Sequence, residues 1–126
     1  RLQQSEERLQ LALEAADIGI WEWKIPTNTL VWSDLVGPIF GFPQGFTMPT
    51  YEAFLNRVYL EDRENVAQTA ASKLKAGTDF EIEFRIVWPD GTLHWVGEKG
   101  QVYRDSIGQP LRIIGTVIDI TESKQA

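Results

Sequence analysis

The sequence predicts an α+β domain, an antiparallel sheet with helices over one face. Three observations lead there. From Phe80 the side chains alternate, with Phe80, Ile82, Phe84, Ile86 and Trp88 on one side and Glu81, Glu83 and Arg85 on the other, the period of a strand with one dry face. Residues 111–120 are apolar on both sides, with Leu111, Ile113 and Val117 facing Ile114, Ile118 and Ile120. A strand of that kind sits centrally and needs cover on both faces. Finally, strands stand on either side of a helical block, which separates the pattern from an alternating βαβ arrangement.

In chain order, residues 1–16 read as an amphipathic helix, rich in Gln, Glu, Leu and Ala, with Leu2, Leu9 and Ala16 at heptad distance. It serves either as a helix packed on its own domain or as the tail of a coiled coil. As the available cover, it is placed across the outer face of the last strand. Residues 17–25 form a strand with Trp21, Trp23 and Ile25 opposite Ile20, Glu22 and Lys24; Pro26-Thr27-Asn28 turns, and residues 29–32 return. Ser33 and Asp34 stand where a helix cap belongs, but Gly37-Pro38 keeps that helix within a turn. Thr50 caps the next helix, at 51–58. A longer one covers 61–76, with acids in its first turn, Lys73 and Lys75 in its last, Gly77 as its stop and Val66, Ala70 and Leu74 as its buried stripe. Pro89-Asp90-Gly91 ends the alternating strand, and Thr92 to Trp95 starts its return. Thr121 caps a helix that begins at the C-terminal end. Helical patterns at both ends predict a module within a longer protein, divided as linker helix 1–16, domain 17–121 and outgoing helix from 122.

The totals narrow the function classes. A chain of 126 residues suits one domain. A net charge of -6 with no basic cluster argues against nucleic acid. No apolar run approaches the roughly 18 residues of a membrane span. The chain has no Cys, which removes disulfides, thiolate nucleophiles and any flavin–cysteine adduct.

Several residues are candidates for function. Trp21, Trp23, Phe40, Phe54, Phe84 and Trp95 fall between sheet and helices, either as plain core or as walls of a ligand cavity. Gly115, inside the central strand, marks a close approach by a side chain or ligand, or a bend. His94, the only His, alternates away from Leu93 and Trp95, toward the wet face, and alone makes no metal site. No catalytic constellation stands out. Asp119, between apolar neighbours, needs an Arg, a Lys or a backbone N–H as partner.

The segments WEW-x-IPTNTLVWS, VYLEDR, EFRIVWPDGTLHWV and RDSIGQPLRIIGTVIDITESKQA, in this order and spacing, resemble the PAS family of sensor domains with its C-terminal PAC half. The resemblance covers about residues 9–126. It implies a five-stranded antiparallel sheet in order 2-1-5-4-3, a module that senses a signal for a histidine kinase, diguanylate cyclase or phosphodiesterase, and signal transfer at Asp119 and Thr121. It also implies a homodimer through the N-terminal helix and the outer sheet face, a small-molecule ligand, a C-terminal output domain and a cytoplasmic location. Haem-binding relatives use a His on the longer helix, and covalent flavin relatives a Cys; this chain has neither, so the cofactor is unknown. Where such relatives often read His-Pro-acidic-acidic, this chain has Tyr59-Leu60-Glu61-Asp62. By this reading the module is not itself an enzyme. The alternatives are a small pocket enzyme on a cone-like α+β fold, using His94 and a carboxylate, and a dimerisation module without ligand.

Overall fold

The structure, a computed structural model, describes residues 2–126, the Leu2 side chain excepted; the expected helix start at Arg1 lies outside them. The elements run α1 (Leu2–Ala15), β1 (Gly19–Lys24), β2 (Thr29–Trp32), α2 (Val36–Ile39), α3 (Tyr51–Leu55), α4 (Leu60–Ala76), β3 (Phe80–Val87), β4 (Leu93–Arg104), β5 (Pro110–Asp119) and α5 (Thr121–Gln125). The strands form one antiparallel sheet in order β2-β1-β5-β4-β3. β5 is central, as its two apolar faces predict.

The inner face carries Trp21, Leu30, Trp32, Phe84, Ile86, Val96, Ile113 and Val117, all buried, and packs against Val36, Ile39, Phe40, Phe54, Val58 and Val66 from the helical block. Local chemistry places the helices. The Thr50 hydroxyl accepts from Ala53 N–H at 3.2 Å, capping α3. α4 closes on Gly77, which takes φ 70° and ψ 28° and donates its N–H to the Lys73 carbonyl. Asp62, in the first turn of α4, holds the Arg85 guanidinium at 2.7 and 2.9 Å and accepts the Arg85 backbone N–H at 2.8 Å. This fork fastens α4 to β3, and the Arg85 hydrogen bonds hold the Asp62 carboxyl below its ordinary range. Beside it, Tyr59 N–H donates to Arg85 O and Val87 N–H to Arg57 O, covering part of the β3 edge.

Several details depart from expectation. Ser33 does not cap α2: its hydroxyl accepts from Ile20 N–H at 2.9 Å and joins β2 to β1. Pro38 lies inside α2, in the first turn, where its missing N–H has no helical acceptor to lose. β4 runs to Arg104, well beyond the expected return strand. The largest departure is α1. It does not cover the outer face of β5: residues 3–12 are all exposed, with Leu9 and Leu11 at 60% and 66%. Ile118, on the outer face of β5, stays 39% exposed. The turn after α1 explains this: Ile18 N–H donates to Leu13 O, and Asp17 takes φ 55°, so the chain enters β1 with α1 turned off the sheet.

Gly115 faces Trp21 across β1 and β5. A Cβ there would meet the Lys99 carbonyl and stand 2.5 Å from the Trp21 ring. The position therefore requires glycine because of close approach by a side chain and a neighbouring strand. Gly115→Ala is expected to lower the unfolding free energy by about 1–3 kcal/mol, read as a shifted urea midpoint; an unchanged midpoint would contradict this packing.

Candidate functional site

Between the sheet and α3–α4 lies a cavity of about 50 Å³. Its walls include Trp21, Trp23, Trp32, Tyr51, Phe54 and Phe80, with Val66, Thr69 and Ala70 of α4 as one side. Three of the expected pocket residues meet here: Trp21, Trp23 and Phe54. Phe40 and Phe84 lie deeper in the core, where Phe54 packs edge-on against both, with ring centroids at 6.1 and 5.9 Å. They support the wall rather than line it. Gly115 lets the Trp21 indole sit flush on the sheet, its Nε1–H donating to Thr116 O at 3.0 Å.

Trp95 does not belong to this group. It pairs with Arg85 across the strands and lies on the outer face, with the Arg85 guanidinium 5.2 Å and the Lys124 ammonium 4.7 Å from its ring. The phase of β4 is set by Val96, fully buried on the inner side, so its neighbour Trp95 must face out. The same phase corrects His94, which shares the inner side with Val96 and pairs with Ile86. It stacks on Trp88 with ring centroids 3.7 Å apart. Thr92 Oγ1 lies 2.8 Å from His94 Nε2 and donates to Asp90 at 2.6 Å; the ring therefore carries its hydrogen on Nε2. Nδ1 then faces Asp119 Oδ2 at 4.0 Å. This pair lines an open groove with Ala16, Leu35 and Gln125, apart from the aromatic cavity.

Two groups outside the expected set shape the cavity. Asn28, in the β1–β2 turn with φ 52°, accepts from Trp23 Nε1–H at 3.0 Å and from Tyr51 N–H at 3.3 Å, and donates to Glu52 at 2.7 Å. It holds Trp23 stacked on Tyr51, with centroids 4.4 Å apart. Its signal in the sequence is an Asn in a turn, where a left-handed backbone is tolerated. The second group is Glu98. On β4 it lies between Val96 and Gly100, across from Ile82 and Val117, so it faces the core and lines the cavity. Carrying the β4 alternation beyond Trp95 finds a carboxyl among apolar positions. Among the described residues it has no hydrogen-bond partner. The residue as a whole is half-buried, while enclosure of its carboxyl raises the pKa to about 8. The Tyr51 hydroxyl is also buried without a partner, and its pKa is pushed up to about 12 by burial, then by Glu98 and Glu52.

At the other end of β5, Asp119 accepts from Thr121 N–H at 2.8 Å, the backbone partner among those expected. Thr121 does not cap α5 with its side chain. Its hydroxyl accepts from Trp95 N–H at 2.9 Å instead. Lys124 adds an ion pair with Glu83 at 2.6 Å, so α5 is docked on the outer edge of β4 and β3.

A carboxyl whose folded pKa lies above its unfolded value favours the fold most below the unfolded pKa, near pH 4, and loses that contribution as pH rises through about 8. Glu98→Gln is therefore expected to make the domain more stable than the parent at pH 8–9, with the difference shrinking toward pH 4. Chemical denaturation across that range measures it; a parallel offset at all pH values would contradict the buried carboxyl.

The family with the PAS fold matches residues 29–117. The chain is 32% identical over 98% of its length to the probable diguanylate cyclase DgcE of Escherichia coli K12, of which it spans only 11%. Among solved structures, a sensory box histidine kinase/response regulator from Burkholderia thailandensis superposes with a TM-score of 0.81 at 25% identity, covering 94% of this chain and 88% of that one. The N-terminal domain of a diguanylate cyclase with PAS/PAC sensor from Marinobacter aquaeolei gives 0.78 at 25% identity, covering 85% and 98%. With the strand order, the central β5 and a helical block on one face, these matches lead to one conclusion: the chain belongs to the PAS family.

Proposed function

We propose that this chain is the signal-sensing and dimerisation module of a multidomain signal-transduction protein, a histidine kinase or a diguanylate cyclase or phosphodiesterase, located in the cytoplasm. The module carries no catalysis of its own. A small molecule enters the aromatic cavity, and the change passes to a C-terminal output domain through the β5–α5 junction. The observation that supports this most is the Glu98 carboxyl set among the largely apolar walls of the cavity, together with a Tyr51 hydroxyl buried without a partner. A core that only fills volume gains nothing from them. β4 and β5 lead from that cavity to the junction: Glu98 and Trp95 lie on one strand, Ile113 and Asp119 on the next. A ligand that shifts these strands changes the acceptor geometry at Thr121 and with it the seat of α5. In this reading residues 1–16 are a linker helix, 17–121 the sensor and 122–126 the start of the output helix. No described helix is long and apolar enough to cross a membrane.

Native mass spectrometry of freshly purified protein tests the ligand, with a retained small-molecule mass expected. Thr121→Val is expected to leave that mass in place while removing the Trp95 hydrogen bond, so that hydrogen exchange in α5 accelerates by about fivefold or more, as for a bond worth about 1 kcal/mol. Unchanged exchange would remove Thr121 from the relay.

The dimer rests on α1, whose Leu9 and Leu11 are exposed, and on the outer face, where Ile118 is exposed. Burying this surface in a symmetric pair supplies the cover that α1 does not give its own sheet. Light scattering over a concentration series is expected to report a dimer that Leu9→Glu converts to monomer; monomer at every concentration would count against it.

A further inference from the structure

The ligand of the proposed sensor can be narrowed to a chemical class, a step that rests on the sensor reading of the cavity. The cavity measures about 50 Å³, and a single water needs roughly 10–15 Å³ of such space. It therefore accepts a molecule of about four or five non-hydrogen atoms, and a large planar cofactor would have to rebuild the core. Six of its walls are aromatic. A wholly hydrocarbon ligand would suit those walls and leave the Glu98 carboxyl without a counter-charge or hydrogen-bond partner. An anion would meet the carboxyl with the wrong sign. A cation suits both kinds of wall: the carboxylate supplies the counter-charge, and an aromatic ring attracts a cation seated over its face. Methyl groups on that cation fill the apolar remainder.

We infer that the cavity takes a small methylated ammonium ion, surrounded by the aromatic side chains of Trp21, Trp23, Trp32 and Tyr51 and paired with the carboxylate of Glu98. In the empty cavity burial keeps most of the Glu98 carboxyl protonated at neutral pH. Entry of the cation ionises it and sends one proton to solvent, so the net charge in the cavity is the same before and after. Of the residues lining the cavity, Tyr51 of α3 is the other titratable group; β3, α4 and β5 face Glu98 with Ile82, Thr69, Ala70 and Ile113, none charged. The proton released is thus that of Glu98. Below pH 8 the affinity rises by up to about tenfold per pH unit as the carboxyl becomes easier to ionise.

The probes are tetramethylammonium chloride, whose charge does not titrate, and tert-butanol, its neutral equivalent in shape. Binding is read by tryptophan fluorescence and by calorimetry in two buffers of different ionisation enthalpy. Tetramethylammonium is expected to bind at least about tenfold more tightly than tert-butanol at pH 8. It should also release close to one proton at pH 6.5 and lose about tenfold or more in Glu98→Gln, which keeps the shape and removes the charge. The pH series on the unaltered protein gives the same answer should the variant fold poorly. Equal or tighter binding of tert-butanol overturns the inference. So does tetramethylammonium binding without proton release or without loss in Glu98→Gln. If neither probe binds but native mass spectrometry retains another small molecule, the ammonium class falls and the sensor reading stands. If nothing is bound in any of these measurements, both fall.

Discussion

The pairing of β1 with β5 sets the geometry of everything else in the domain. It joins the two ends of the fold, and the Trp21 indole spans 95 positions to reach the Thr116 carbonyl. The register Trp21↔Gly115 and Trp23↔Ile113 lays the largest side chains of β1 beside β5. Close approach of the first pair is possible only because Gly115 has no Cβ. With β1 held there, the chain between β2 and β3 must cross one face of the sheet. α2, α3 and α4 lie on that crossing, and the cavity is the space they leave.

That cavity is a compromise between packing and chemistry. Aromatic side chains fill the inner face with volume and few rotamers, and Asn28 fixes two of them by accepting from Trp23 and Tyr51 together. Glu98 works against the same core. A neutral carboxyl without a hydrogen bond costs stability, and an ionised one costs more.

The outer face shows a different logic. Arg85 divides its guanidinium between Asp62 of α4 and the ring of Trp95. Trp95 in turn offers its N–H to Thr121 and its ring to Lys124. The helical block thus meets Arg85 and the outgoing helix meets Trp95, and the Arg85 guanidinium lies against the Trp95 ring. The junction is continuous with the contacts that fasten the block to the sheet.

Much of this is readable along the chain. The dry face of β3, the central place of β5, the Thr50 cap and the Gly77 stop each follow from local pattern or backbone chemistry, which neighbouring residues alone dictate. The aromatic wall at Trp21, Trp23 and Phe54 follows from alternation in β1 and the stripe of α3. Alternation by itself puts Trp95 and His94 on the wrong faces, because a period of two has no origin until Val96 is seen to be buried. Glu98 escapes a reading by composition, since a glutamate looks solvated wherever it stands. The Thr121 hydroxyl meets Trp95 rather than its own helix, because a cap competes with any N–H that folding brings within reach. Residue order alone thus settles where most strands and helices begin and which strand must be central, because those depend on periodicity, although it leaves the length of β4 open. Which polar groups share the cavity, and where α1 points, emerges only once the chain is folded, because both depend on contacts between distant residues and on the hand of a single turn.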